Sequence, residues 1–297
     1  TALLYYARDS WYLRTTALKE KMLAENDRVR WFPPQVGKNR FGNWLENNVD
    51  WAISRDRYWG TPMPLWTCGN PDCAKVVCIG GRDDIAARGG AVPEDLHRPY
   101  VDQVALTCEA CGGSMRRASE VVDVWFDSGS MPFAQWHYPF ENRDLFEAMF
   151  PADFICEGID QSRGWFYSLL AIATLVEGRA PFKTVMANEL ILDEIGRKMS
   201  KRLGNAVDPW EVLGAEGADA LRWYLLTNSP PWVTTRFSRE GVTEVARKFF
   251  GTLRNVAAFF ASYANVDGWT PGAAAPPLAE RPLIDRWLLS RLDAVSA

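Results

Sequence analysis

DFICEGIDQSRGWFYSLLAIATLVEG, residues 153–178, decides the fold class. Its first six residues have the apolar character of a buried strand. IDQSRGWFYSLLAIATLVEG then reads as one long helix, with Trp165, Phe166, Leu169, Leu170 and Ala173 on its buried side. A second apolar run, FKTVMANELIL, follows at 182–192. Strands alternating with helices argue for an α/β architecture with a parallel sheet. In open sheets of that kind, ligands sit at the carboxyl ends of the strands, which is where Glu157, Asp160 and Gln161 cluster. A carboxylate there can accept hydrogen bonds from ribose hydroxyls or pair with a ligand ammonium, and Gly158 lets a ligand approach the backbone. Ordinary helix capping by Asp160 accounts for the same stretch equally well.

Downstream, GRKMSKRLGN at 196–205 packs Arg197, Lys198, Lys201 and Arg202 between glycines. Such a loop can close over a polyphosphate and stabilise charge that develops as pyrophosphate leaves. A solvated charged turn has the same composition. Asp208-Pro209 predicts a helix start, and ADALRWYLLTN at 218–228 continues the helical pattern. From about 238, Val242, Val245, Phe249, Leu253, Val256, Phe260 and Tyr263 step by three and four, predicting a long amphipathic helix. GWTPGAAAPP at 268–277 is a linker, and a further helix follows it.

Upstream, Phe41, Leu45, Val49 and Ala52/Ile53 recur at helical spacing, predicting a helix over 41–53. SRDRYWGTPMPLW, 54–66, is extended and interrupted by Gly60, Pro62 and Pro64. VVDVWFDSGS, 121–130, holds Trp125 between Asp123 and Asp127 ahead of a Gly/Ser turn. Trp125 and Trp165 suit plain core packing, or else two indoles that face one another across an apolar slot for a branched side chain. Residues 67–117 are Gly-rich and framed by TCGNPDC and TCEACGG, which marks an inserted module. Cys68, Cys73, Cys108 and Cys111 form two knuckles, the pattern of a closed tetrahedral zinc site. Cys78 is a competing ligand by spacing, and Cys156 reads as a buried apolar residue.

The 297 residues suffice for two domains, or for one large domain with an insertion. Composition is that of a soluble protein, 47% hydrophobic and 24% charged. A net charge of −4 excludes a globally basic nucleic-acid binder but leaves room for a local basic surface. No apolar run approaches the ~18 residues of a membrane span, and paired cysteines without a secretory leader point to the reducing cytoplasm. Nothing suggests hydrolysis by nucleophile and histidine: His97 and His137 are the only histidines, and no G-x-S-x-G elbow or Walker A loop occurs.

KMSKR at 198–202 resembles the second signature of the class I aminoacyl-tRNA synthetases. EGIDQSRGWFY (157–167), DVWFDSGS (123–130) and NWLENNVDWAISRDRYWGTPMPLW (43–66) resemble the isoleucyl enzymes of that family rather than the valyl or leucyl ones. The last signature residue is usually Ser and is here Arg202. The resemblance implies ATP-dependent activation of L-isoleucine to the adenylate, with Mg²⁺ helping to neutralise the phosphates, and transfer to tRNA(Ile). One methylene separates isoleucine from valine and is worth only ~1–3 kcal/mol, a limit for which isoleucyl enzymes are themselves the standard illustration; hence the family's editing domain. The resemblance implies that Lys198 and Lys201 stabilise the triphosphate and departing pyrophosphate, with Met199 and Ser200 beside the nucleotide. Glu157, Gly158, Asp160 and Gln161 would hold the adenylate, and Trp125 and Trp165, with Glu157, would wall the isoleucine pocket.

By the same resemblance, residues 1–40 are the exit segment of an editing insertion and 41–235 the second half of a Rossmann-like parallel-sheet catalytic domain. Within it, 67–117 is a small structural-zinc insertion, and 236–297 begins a helical anticodon-binding bundle. Arg236, Arg239, Arg247, Lys248 and Arg254 against Glu240 and Glu244 leave that start at net +3, suited to phosphate contacts with tRNA. His-x-Gly-His, the first family signature, does not occur, so the chain is expected to be a piece of a longer, monomeric, cytoplasmic protein and inactive alone. A valyl-type synthetase is the alternative within the family. A non-catalytic zinc- and RNA-binding module is the alternative outside it.

Overall fold

The computed structural model describes residues 6–270 and 276–296. Contacts divide it into two compact units, Thr1–Ser200 with Ser229–Arg236, and Lys201–Asn228 with Phe237–Ala297.

The first unit is built on a parallel sheet in which Thr184–Asn188 lies between Ile155–Gly158 and Arg30–Phe32. Residues Trp165–Val176 form the helix between the first two strands and bury Phe166, Leu169 and Leu170 against Trp31, Phe41, Leu45 and Val185. Each such side chain contributes about 1.5–3 kcal/mol on full burial. The expected single helix from Ile159 is broken. Ile159–Arg163 is a 3₁₀ turn, and Gly164 separates it from the helix proper. Trp31 lies directly on the backbone at Gly37, where a Cβ would come within 2.3 Å of the indole. Its Nε1 donates to Asn26 Oδ1 (2.9 Å) while Asn26 Nδ2 donates to the Gly37 carbonyl (3.1 Å), so the buried polar atoms are paired.

The helix expected over 41–53 is shorter than its periodicity suggests. A π-turn at Val36–Phe41 leads into Gly42–Glu46, where the helix stops. Trp51–Ala52 is instead a strand, antiparallel to Tyr12–Leu13, and Ser54–Arg55 pairs with Val121–Val122. Residues 124–129 likewise form a short helix, Val124–Gly129, rather than an open turn. It packs tightly on the long helix: a Cβ at Gly129 would sit 2.8 Å from the Ser168 backbone. Gly129→Ala is therefore expected to cost roughly 1–3 kcal/mol by overpacking, read as a lowered urea midpoint with unchanged slope.

Residues 65–117 carry an antiparallel sheet ordered Val76–Cys78, Leu65–Cys68, Ser114–Arg117, Leu106–Thr107. Trp66, Ile85, Val101, Leu106 and Met115 form its own core. Arg117 is buried there and donates from Nε to Asp102 Oδ1 at 2.8 Å.

The second unit is helical. Asp208 caps Pro209–Glu216 by accepting from Trp210 N (2.9 Å), as the Asp-Pro pair predicts. Ala218–Thr227 packs Tyr224 against Gly241, where a Cβ would meet the ring at 2.5 Å. Arg239–Val245 passes through a π-turn, Ala246–Phe250, into Gly251–Val266. Along that last helix Val256, Phe259, Phe260 and Tyr263 are exposed. Of the expected linker, 271–275 lie outside the described residues. Leu283–Ser296 forms the final helix, and none among the described residues is long and apolar enough to cross a membrane.

Candidate functional site

The carboxyl end of strand Ile155–Gly158 carries Glu157 exposed and Gly158 half-buried. A Cβ at Gly158 would lie 2.6 Å from Asp160 Oδ1, so only glycine lets that carboxylate fold back over the strand end. Gln161 connects the cluster to the helix: its Nε2 donates to Asp160 Oδ2 (2.9 Å) and its Oε1 accepts from Trp165 N (3.0 Å). Gln161, not Asp160, thus supplies the capping oxygen. Asp160 keeps its carboxylate at the surface.

Two tryptophans flank the same junction. Trp165 Nε1 donates to the Ser128 carbonyl (3.0 Å), which fixes the indole against the short helix. The Trp125 ring edge lies 3.2 Å from where a Gly164 Cβ would stand. Their open sides face different spaces. Trp165 lines an apolar cavity of about 280 Å³ with Trp136, Phe150, Phe154, Ile155 and Leu169. Trp125 lines a second one, about 180 Å³, beside Arg55, Trp59 and Asp123. Beneath Trp125, the buried Asp123 accepts from Trp125 N (3.1 Å), from Arg55 Nη2 (2.5 Å) and from Trp51 Nε1 (3.2 Å). Burial pushes the neighbouring Asp127 carboxyl up, opposed by a hydrogen bond with Thr61 and reinforced by the charge of Asp123. Sequence patterning did not single out Arg55 or Trp51 as supports of this wall, since both partners lie some seventy residues from Asp123 in the chain and no local period joins them.

The basic loop begins at Ile191–Leu192, from which a bridge joins Leu192 to Lys198. Asp193 holds the turn by accepting from Arg197 N (2.7 Å) and Nε (3.1 Å), so the Arg197 charge is matched locally. Gly196 has φ +86°, and a Cβ there would come 3.2 Å from Arg236 Nε. Met199 and Ser200 follow, half-buried, and Lys198 is exposed. Lys201 belongs to the other unit and opens the 3₁₀ turn Lys201–Leu203.

The four knuckle cysteines converge: the sulfurs of Cys68, Cys73, Cys108 and Cys111 all lie within 4.8 Å of one another. Two pairs are close, Cys68 to Cys111 at 3.5 Å and Cys73 to Cys108 at 3.7 Å. A tetrahedron with Zn–S bonds of about 2.3 Å requires sulfurs about 3.8 Å apart, so the donor set fits that ion. Backbone N–H groups of Ala110 and then Cys111, against desolvation, draw the Cys108 thiol down to about 7. At Cys68 the Asn70 N–H acts to lower the thiol, yet desolvation and the neighbouring sulfurs push it up to about 12. Gly113 packs closely on the cluster, since a Cβ there would stand 3.2 Å from Cys111 Sγ and press on that sulfur. Cys78, at the sheet edge opposite Leu65, is outside the cluster.

Residues 3–238 match the family of class I tRNA synthetases (I, L, M and V). The chain belongs to that family. Its α/β sheet is that of the class I synthetase fold. The chain is 50% identical to the isoleucine–tRNA ligase of Porphyromonas gingivalis over 98% of its own length, and 51% identical to that of Thermus thermophilus over 99%. It spans 28% of the length of each. Among solved structures it resembles Mycobacterium tuberculosis methionyl-tRNA synthetase in complex with methionyl-adenylate. There the TM-score is 0.59 at 23% identity, covering 91% of this chain and 44% of that one. An Agrobacterium radiobacter K84 LeuRS in ternary complex with tRNA and LeuAMS gives a TM-score of 0.55 at 22% identity, covering 77% and 30%. At those identities the synthetase structures speak for the fold.

Proposed function

We propose that this chain supplies part of the active site of an isoleucine–tRNA ligase, which activates L-isoleucine with ATP and charges tRNA(Ile) in the cytoplasm. The supporting observation is the contrast in likeness: about half of all positions agree with isoleucine–tRNA ligases along essentially the whole chain, against 22–23% with the leucyl and methionyl structures. In this reading 41–235 is catalytic, 67–117 a zinc-bearing insertion, 1–40 the return from an editing insertion, and 236–297 the start of an anticodon-binding bundle.

The chemistry asks for positioning and charge stabilisation rather than covalent work by the protein. Glu157 faces the ammonium of isoleucine. Asp160 and Gln161 offer one acceptor and one amide to ribose hydroxyls, with Gly158 allowing close approach. By the family resemblance Trp125 and Trp165 wall the side-chain space, although here they line two separate cavities. Lys198 and Lys201, with Met199 and Ser200 between them, meet the phosphates; Mg²⁺, when bound, shares in neutralising them. Cys68, Cys73, Cys108 and Cys111 hold zinc as a structural ion, away from the reaction. In the full-length protein, isoleucine is expected to drive ATP–pyrophosphate exchange faster than valine at equal subsaturating concentration. Equal or faster exchange with valine would overturn the assignment in favour of a valyl-type enzyme.

A further inference from the structure

The 180 Å³ cavity beside Trp125 has two residues on its wall, Arg57 and Trp59, to which amino-acid activation gives no role. It is lined by Arg55, Arg57, Trp59, Val121, Asp123 and Trp125. Trp59 is 70% exposed. One side of its indole is backed by His97, stacked in parallel with ring centroids 5.1 Å apart and planes within 5°. His97 is itself anchored, Nδ1 to Asp95 Oδ1 at 2.7 Å and backbone N to the same oxygen at 2.8 Å. Gly60, at φ +149°, lays the loop on Val121, where a Cβ would come within 3.2 Å. An exposed tryptophan is thus held as a rigid plate rather than left to rotate.

Charge around the plate is uneven. Asp123 is matched by Arg55, whereas no carboxylate lies within ion-pair distance of the exposed Arg57 among the described residues. Arg57 is fixed through its backbone, which accepts from Arg98 Nη1 (3.1 Å), and Arg98 lies over the Tyr58 ring at 5.4 Å. An aromatic plate beside an unmatched guanidinium selects a flat π-system that carries an anion. At about 180 Å³ the space is smaller than the roughly 300 Å³ of a drug-sized ligand pocket, room for one ring system with its phosphate left outside. A paired base has its faces covered by its neighbours, so the match is to an unpaired one.

We propose that Trp59, backed by His97 and flanked by Arg57, binds one unpaired base of single-stranded RNA, the base stacking on the indole and its phosphate meeting the guanidinium. The choice of RNA as carrier rests on the proposed tRNA-charging role; the site itself rests on the geometry. His97 acts through Trp59 as a positioning residue.

The test measures anisotropy of a short, unstructured, end-labelled oligoribonucleotide with the full-length protein. Trp59→Ala is expected to weaken binding roughly ten- to hundredfold, the effect of one stacked base, while Trp59→Phe keeps most of it. Arg57→Ala is expected to flatten the salt dependence by about 0.7 in log K per log salt, one single-strand phosphate. His97→Ala weakens binding severalfold in the wild-type background and not in Trp59→Ala. Affinity of Trp59→Ala within twofold of wild type overturns the proposal. So does equal loss towards a duplex of the same length. Isoleucine-dependent exchange, which needs no RNA, is followed alongside. Its absence from the wild type would defeat the ligase reading and leave the base site standing.

Discussion

Lys198→Ala combined with Lys201→Ala in the full-length protein is expected to lower isoleucine-dependent ATP–pyrophosphate exchange by about 10²–10³-fold, the usual cost of losing charge stabilisation aimed at a transition state. The KM for isoleucine should move far less, because the lost interaction forms as pyrophosphate departs rather than when the amino acid binds. Arg197 provides the internal control. Its guanidinium is already matched by Asp193 at 3.1 Å, so Arg197→Ala should disturb the turn without removing a phosphate partner, and exchange should fall by less than about tenfold. Lys198→Arg retains charge but carries it on a planar fork instead of a compact ammonium, and should recover part of the rate. Exchange within threefold of wild type in the double variant would remove the loop from the reaction.

The second large effect concerns the metal. Cys108→Ser is expected to reduce bound zinc from about one equivalent to less than half, and to open 65–117 to proteolysis while the parallel sheet stays protected. Structural zinc contributes about 10–16 kcal/mol in small finger peptides. The insertion has its own apolar core around Trp66 and Met115, so the loss here should be smaller, several kcal/mol, and local. Cys78→Ser, outside the sulfur cluster, should leave zinc content unchanged. Equal zinc in wild type and Cys108→Ser would discard the site.

What was legible in the sequence follows from which forces act locally. The strand Ile155–Gly158, the body of the crossing helix and the Asp208 cap are written in contiguous residues; the strand and the cap stand where their patterns predict, and the helix does so from Trp165 onward. The cysteine knuckles were legible because two short spacings bring four ligands together. The helix over 41–53 was misread because Val49 and Ala52/Ile53 match helical spacing for unrelated reasons. Val49 is 71% exposed, and Trp51 is drawn into a strand by Leu13 and onto Asp123, partners 38 and 72 residues away. The break at Gly164 was hidden too. A glycine within a helical pattern is tolerated often enough to pass unremarked, and the space at Gly164 is closed both by the nearby Gln161 Oε1 at 2.9 Å and by Trp125, far off in the chain, at 3.2 Å. The residues that shape the site walls, Arg55 and Trp51, are fixed by such distant pairings and carry no period of their own.

Trp66 and Arg117 face one another across adjacent strands, and the Ala118 N–H donates to the Leu65 carbonyl at 2.7 Å. The chain therefore leaves the cysteine-bearing sheet a single strand spacing from where it entered. Such a segment can be exchanged or enlarged at its far end with little strain on the junction, whereas discarding it whole would also remove Arg98 from the Arg57 carbonyl and His97 from behind Trp59. The same junction is a natural splice point for grafting a foreign domain or a reporter into the chain.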